Sequence, residues 1–556
     1  MHSALEIREL VDDILRHMWN DDDLPGISRL AQTCHSLEEP SLDALWCIQE
    51  SLVPLVRIMS TSILESTHEK LFQADDRTDL LPVEFAQRDD LQDELTLSDA
   101  QIGLSITASH LSRLPSFCRA YNNSKTRLSI RDRRLSPFRV KRTQMYANRI
   151  RGFRPFRRGV FHSQILDVSA LEILFSDERI RFPSLQELCW PLAGITKDTY
   201  QWAPYFLSPS LRSFSITHPN GAHVCGIDSG IWSTLGTRCI DLEELDVFQS
   251  PSLNPETLGL LHMLTRVRIL CPVSMHHFIA LASLPNLDHL DISPVACCVL
   301  GNLTVSHNHS SFPSLQSLAL TCNTADLLWM LDYFRFPAAT SFYLSLEDER
   351  VPNGPADAAS SIFQYIIQSF PSALCCLSIH GYLSTISSTS SADILVPTSK
   401  AIKDMFVAFP DMELFALHGE FTFDSQIDDS FLEQMALAWP KLRDVVLDPD
   451  GQWSVVTPIT LGGVRNFARH LPNLVTLGIR IHADGNNLPE NEERSSSLRR
   501  LSPGRSFIQE PQKVAAFLSE SFPHLDSINI WGPPQDEING CSIFFSTVLA
   551  YPVQGV

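Results

Sequence analysis

The sequence predicts an α/β chain in which parallel strands alternate with helices in a repeating array, preceded by a small helical unit. Three observations predict it. One apolar phrase recurs twelve times between residues 185 and 530. The segments between its copies carry helical stripes that end in proline. Residues 4–57 hold three helical stripes of their own and no copy of the phrase.

The phrase is clearest at residues 312–323, FPSLQSLALTCN, where Leu315, Leu318 and Leu320 follow a bulky residue and proline, Phe312-Pro313. The first apolar position of each copy falls at 185, 211, 242, 264, 287, 315, 339, 374, 412, 442, 474 and 525. Strand residues two apart share a face. The last two apolar positions of each copy therefore point into a core, and their neighbours look out. Between copies, Ile402-Phe406-Phe409, Phe431-Met435-Trp439 and Val464-Phe467-Ala468-Leu471 recur at helical spacing. Pro410, Pro440 and Pro472 stop these helices, because the residue before proline is pushed out of the helical region. Strand and helix thus cycle about every 30 residues, as in a solenoid whose parallel strands are joined by right-handed crossovers.

This phrase resembles the strand segment of a leucine-rich repeat, L-x-x-L-x-L-x-x-N/C-x-L. The resemblance implies a horseshoe with parallel strands on the concave face and helices outside. Only Asn323 occupies the N/C position; Pro219, Ser250, Val295, Glu420 and His482 stand there in other copies, so an even curvature is not specified. YANRIRGF at 146–153 reads as a degenerate first strand, which extends the expected array over 146–556. Residues 482–511, polar and rich in serine, read as a disordered loop that accounts for the 51-residue gap before the last copy.

Composition narrows the function. Lys+Arg 43 against Asp+Glu 64 gives a net charge of −21 over 556 residues, which argues against general nucleic-acid binding. No run of 18 apolar residues exists, so no membrane span is expected. The acidic, amphipathic start MHSALEIRELVDDIL lacks the pattern of a secretory signal. The 13 cysteines include no C-x-x-C pair and read as reduced thiols in the cytoplasm, the nucleus or both.

Within 4–57, Ile7, Leu10, Ile14 and Met18 make a first stripe, which Asp21-Asp22-Asp23-Leu24-Pro25 breaks. Ile27, Leu30, Ala31 and Cys34 begin a second helix, and Pro40 and Trp46 mark a third. Three short helices bury little surface, so such a unit leans on a neighbour or partner. The stretch resembles an F-box of the kind fused to irregular leucine-rich repeats. Ile7-x-Glu9-Leu10-Val11-x-x-Ile14-Leu15, Leu30-Ala31-x-x-Cys34 and Leu42-x-x-Leu45-Trp46 match its opening, middle and close. Ala4-Leu5 replaces the usual opening Leu-Pro, and His35-Ser36-Leu37 departs from the usual continuation after the cysteine. The resemblance implies docking of a Skp-type adaptor of a cullin-RING ubiquitin ligase through Leu5, Ile7, Leu10, Ile14, Leu15, Leu24 and Leu30. A three-helix cap on the array is the alternative.

Residues 58–145 read as an atypical linker. Eight acidic and two basic residues between Asp75 and Glu94 give way to fifteen basic and one acidic between Arg113 and Arg158. The two halves read as mutually neutralising; the alternative is a nucleic-acid or acidic-partner patch with Phe138, Tyr146, Phe153 and Phe156 interleaved. RRLSP occurs twice, placing Ser136 and Ser502 in a phosphorylatable context.

No nucleophile elbow, phosphate loop, zinc-protease helix or dinucleotide turn is present, so no catalytic residues are assigned. Cys297-Cys298, Cys375-Cys376, His276-His277 and His307/His309 lack a second half at metal-ligand spacing, and neither metal nor cofactor is expected. A solenoid instead offers a broad face, built from the third, fifth and seventh positions of each phrase. Glu244, Asp246, Phe248, Arg266, Arg268, His289 and Asp291 should line it, followed by Tyr343, His380, Asp444, Asp448, Arg480 and Trp531. The resulting expectation is a non-catalytic substrate receptor of an SCF-type ubiquitin ligase that holds a target protein on this face. A leucine-rich scaffold with no ligase link is the alternative.

Overall fold

The computed structural model describes residues 8–20, 23–33, 35–49, 51–59, 63–68, 125–130, 137–154, 164–166, 168–175, 180–190, 202–216, 229–248, 253–295, 310–348, 358–383, 399–419, 426–447, 458–485, 488, 497–504 and 506–528. The chain divides into two units, residues 1–242 and 243–556.

The first unit opens with helices Arg8–Asn20, Leu24–Thr33 and His35–Cys47. Val11, Leu15, Ile27 and Leu37 form their core, flanked by half-buried Met18, Trp19, Leu30, Ala44 and Leu45. The third helix runs straight into strand Ile48–Gln49, which pairs in parallel with Gly152–Phe153. That strand pairs with Glu187–Trp190, and this in turn with Ser213–Ile216. The sheet thus takes its first strand from inside the stretch expected to be helical. Of the degenerate phrase at 146–153 only Gly152–Phe153 is a strand, Tyr146 and Ala147 ending the helix before it, and Ile150 and Phe153 are buried.

The region read as a linker is partly ordered. Strands Ile63–His68 and Lys125–Ile130 pair antiparallel, Gln164–Leu166 joins the latter in parallel, and Pro137–Ala147 is a helix. The acidic run at 75–94 lies outside the described residues. The basic run beyond it is partly spent inside the unit. Arg149 ion-pairs with Glu39 and Asp43 of the third helix, and Arg154 with Glu187. Tyr146 packs on Trp46 at 4.6 Å, and Phe153 is buried, which leaves Phe138 as the exposed aromatic of the described part. Phe156 lies outside it.

The second unit is a single parallel run. Its strands follow one another in chain order from Glu244–Phe248 through Arg266–Leu270, His289–Val295, Ser317–Cys322, Ser341–Asp348, Cys376–Leu383, Leu414–Gly419, Asp444–Leu447, Thr476–Ile479 and Arg500–Ser502 to Ser527–Ile528. The phrases are in register: Leu245 faces Val267, Val267 faces Leu290, and the row continues through Leu318, Phe342, Leu377, Phe415, Val445 and Leu477 to Leu501. One carbonyl per turn (Glu243, Thr265, Asp288 and their successors) accepts from two consecutive amides of the next turn. Helices 10 to 12 residues long, Thr324–Tyr333, Ala358–Ser369, Ser399–Ala408, Asp429–Ala438, Leu461–His470 and Pro511–Ser521, fill six of the connections. This is the α/β leucine-rich-repeat fold.

One expectation needs correction. The described parts of 482–511, residues 482–485, 488, 497–504 and 506–511, carry three strands rather than a disordered loop. Leu498, Leu501 and Pro503 repeat the phrase, strand Arg500–Ser502 pairs with Thr476–Ile479 on one side and Ser527–Ile528 on the other, and the carbonyl row runs through it without a gap. A further parallel pair, His482–Asp484 with Phe507–Gln509, forms beside it. The copy is hidden in the sequence because two arginines and a proline replace its usual apolar neighbours, yet both leucines are fully buried. Ser502 consequently sits in a strand; Ser136 lies outside the described residues.

The bulky residue before each proline is a core position. Phe312, Phe336, Phe409, Trp439, Leu471 and Phe522 are all buried. Phe312 stacks on Phe336 at 5.3 Å and Phe336 on Phe370 at 5.0 Å, so aromatic rings bridge successive turns. Asn323, matched to the N/C position, caps the helix that follows. Its Oδ1 accepts from the Asp326 amide at 2.8 Å and its Nδ2 donates to the Asp326 carboxylate at 2.8 Å.

Candidate interaction surfaces

On the first helix, Val11 and Leu15 point into the small core while Leu10 and Ile14, one residue earlier in each case, are each 44% exposed. Leu10 and Ile14 are four apart and so share a face. The helix therefore carries two apolar stripes side by side, and its own unit covers only one. Leu24, at the start of the second helix, is exposed as well. Of the residues expected to meet an adaptor, Leu10, Ile14 and Leu24 are available on the surface. Leu15 is core, and Leu30 is half-buried against that core. Those two hold the unit together rather than offering contact. Leu5 and Ile7 lie outside the described residues.

The open face of the second unit's sheet has two chemically distinct zones. On its first three strands the third and fifth positions carry ionisable side chains in register: Glu244, Arg266 and His289 in one row, Asp246, Arg268 and Asp291 in the next. These side chains meet one another or a neighbour. Arg266 Nη1 lies 3.6 Å from Glu244 Oε1, Arg268 Nε lies 3.1 Å from Asp291 Oδ2, and His289 Nδ1 lies 2.8 Å from Asp288 Oδ1. Burial pushes the Asp291 carboxyl up from its ordinary value, and Arg268 pulls it back. Phe248 pairs in register with Leu270 at the seventh position.

The next four strands change character. Their fifth-position row runs Ala319, Tyr343, Ser378, Ala416, and their seventh-position row Thr321, Ser345, His380, His418. Tyr343 is 38% exposed and flanked by Ala319 and Ser378, so its ring stands above smaller neighbours. His380 and His418 stack with ring centroids 4.3 Å apart and planes 10° apart. Burial lowers both imidazoles from their ordinary value; His418, with His380 beside it, falls to about 3. Both are neutral at pH 7. Cys375 and Cys376 have their sulfurs 3.9 Å apart, and burial beside the second thiol raises Cys376 to about 11, which keeps it protonated and a poor nucleophile. Asp444 bounds this zone on the far side; Arg480 follows the strand after that. Asp448 and Trp531 lie outside the described residues.

The remaining paired motifs have structural work where they are described. His277 accepts or donates at Nδ1 with Ser274 at 2.8 Å and reaches the Leu253 carbonyl through Nε2 at 2.9 Å, tying a helix start to the preceding turn. Cys297-Cys298 and His307/His309 lie outside the described residues. Among the described residues no three His, Cys, Asp or Glu side chains are arranged to hold a metal, and no helix is long and apolar enough to cross a membrane.

No family model and no curated protein matches the chain. Solved structures do resemble it. A Rad7–Elc1 complex in yeast matches at 14% identity over 63% of this chain and 76% of that one, with a TM-score of 0.30. An internalin from Listeria monocytogenes matches at 14% identity over 70% and 89%, with a TM-score of 0.31. A leucine-rich-repeat protein of Leptospira interrogans matches at 14% identity over 70% and 98%, with a TM-score of 0.28. Likeness at this level adds nothing to the strand register, which by itself defines the fold.

Proposed function

We propose that this chain is a non-catalytic interaction protein that serves as a substrate receptor of an SCF-type ubiquitin ligase. Its N-terminal helices dock a Skp-type adaptor, and the open face of the repeat sheet holds a target protein. The observation that carries the reading is the second apolar stripe on the first helix. Val11 and Leu15 already satisfy the unit's own core, so Leu10 and Ile14 remain for a partner. The chain needs no catalytic group in this role. Holding a target near a ubiquitin-charged enzyme raises the effective concentration of the reacting groups.

One observation favours the plainer scaffold reading. Arg149 ties the third helix to the start of the sheet by two ion pairs, and strand Ile48–Gln49 enters the sheet directly, as a structural cap would. Co-purification with a Skp-type adaptor separates the two. Ile14→Asp places a charge on an exposed stripe without touching the core. Adaptor retained by the wild-type chain and lost by Ile14→Asp supports the receptor. Equal retention by both rejects this interface, and no adaptor on the wild type leaves the scaffold.

A further inference from the structure

The four strands beginning at Ser317, Ser341, Cys376 and Leu414 hold a feature that the chain's composition makes unusual. With a net charge of −21, carboxylates are abundant, and the strands on either side present Asp291 and Asp444 on the same face. Across these four strands the third, fifth and seventh positions carry no Asp, Glu, Lys or Arg. The imidazoles that stand there, His380 and His418, are kept neutral by burial. The side chains are also small, with Ala319, Ser378 and Ala416 along the fifth-position row, so Tyr343 rises from a shallow floor. Buried within that floor, the Ser345 hydroxyl has no hydrogen-bond partner. In the charged zone next to it Arg266 pairs with Glu244 and Arg268 with Asp291, so two arginines stand against three carboxylates and most of the charge is offset within the zone.

We infer that these four strands form the contact strip for the target, and that the segment it takes is an uncharged, largely apolar stretch of polypeptide that packs against Tyr343. The inference rests on the receptor reading and deepens it. Burying an ion against the third, fifth and seventh positions, which carry no counter-charge, leaves that ion desolvated and unpaired, so acidic, phosphorylated and basic segments are all disfavoured there. Small apolar side chains fit the floor, and the exposed aromatic supplies the anchor that protein interfaces favour. Charged residues on the three preceding strands, by contrast, hold one another and set the rim.

A displayed library of random peptides selected on the full-length chain tests this directly. The expected outcome is enrichment of uncharged, apolar sequences whose binding weakens at least about tenfold in Tyr343→Ala, as for a central aromatic anchor. Ala319→Asp, which adds a carboxylate between Asp291 and Tyr343, should weaken the same peptides, and Arg266→Ala should not. Enrichment of acidic or basic peptides overturns the inference. So does binding indifferent to both Tyr343→Ala and Ala319→Asp, or failure to enrich any peptide. Capture of a Skp-type adaptor by Tyr343→Ala is read alongside: it should match the wild type, so loss of the adaptor arm strikes the receptor reading and loss of the peptide arm strikes this one.

Discussion

The N-terminal helices and the repeat array stabilise themselves in opposite ways. The three helices close over a core of Val11, Leu15, Ile27 and Leu37, with five half-buried residues at its edge. In the array each interior turn adds three buried phrase positions, most add a bulky residue before proline, and each interior strand pairs with a neighbour on both sides. One region has a single small core that it cannot enlarge; the other grows by repetition, with stability spread over nearest-neighbour interfaces. Under the proposed function, the two apolar side chains that this small unit leaves exposed on its first helix are what the adaptor would cover.

The sharpest way to break the comparison is to empty one core position in each region. Trp439 is fully buried between Phe406, at 4.7 Å, and Phe415, at 5.0 Å. Trp439→Ala should cost about 3–5 kcal/mol in denaturant unfolding of the full chain. Leu15→Ala should fall near the lower end of the leucine range, about 2 kcal/mol, because a small core edged by half-buried residues can collapse around the gap. Equal losses from the two would mean that the helical unit is as tightly packed as the array.

Next in size is a pH effect confined to the array. The folded His418 imidazole titrates at about 3 and the unfolded one near its ordinary 6.5. Between these values the unfolded chain binds the extra proton, so stability is full above pH 6.5 and declines as pH falls toward 3, by at most about 1.4 kcal/mol per unit. Thermal unfolding followed from pH 7.5 to 4.5 should show that limb, and His418→Gln should flatten it. An unchanged limb in His418→Gln would assign the titration elsewhere.

The array was legible because its information is redundant: the phrase locates its strands even where a copy carries Ala339 or Met412 for leucine. What stayed hidden has physical causes. The copy at 498–503 keeps its buried leucines but surrounds them with arginines and serines, so an eye trained on composition sees a loop. The aromatic stack from Phe312 through Phe336 to Phe370 joins successive turns, and such contacts depend on register between turns that spacing within one copy does not give. On the open face, position within the phrase foretold which residues look outward. It did not foretell that Arg266 and Arg268 would be held by Glu244 and Asp291, since pairing depends on register between turns. In the N-terminal unit, spacing marked apolar residues but could not separate Leu15, which faces in, from Ile14, which faces out.

The smallest expected effect tests whether neighbouring turns are also joined outside the strands. Asp429, in the first turn of one helix, accepts from the Thr460 amide at 2.8 Å and from its hydroxyl at 2.7 Å, while Thr460 Oγ1 caps the next helix by accepting from the Gly463 amide at 3.1 Å. A Cβ at Gly463 would come within 1.9 Å of Asp429 Oδ1. Glycine to alanine inside a helix ordinarily gains about 1 kcal/mol. Here the new methyl must push the carboxylate off Thr460, so Gly463→Ala should gain nothing or lose about 1 kcal/mol through the weakened cap. In an Asp429→Ala background the obstruction is gone, and the same substitution should stabilise. A double-mutant cycle by denaturant unfolding reads the difference as a coupling of about 1–2 kcal/mol between turns. Additive effects would show that the turns are coupled through their sheet and buried core alone, and the contrast with the helical unit would then rest on those two terms.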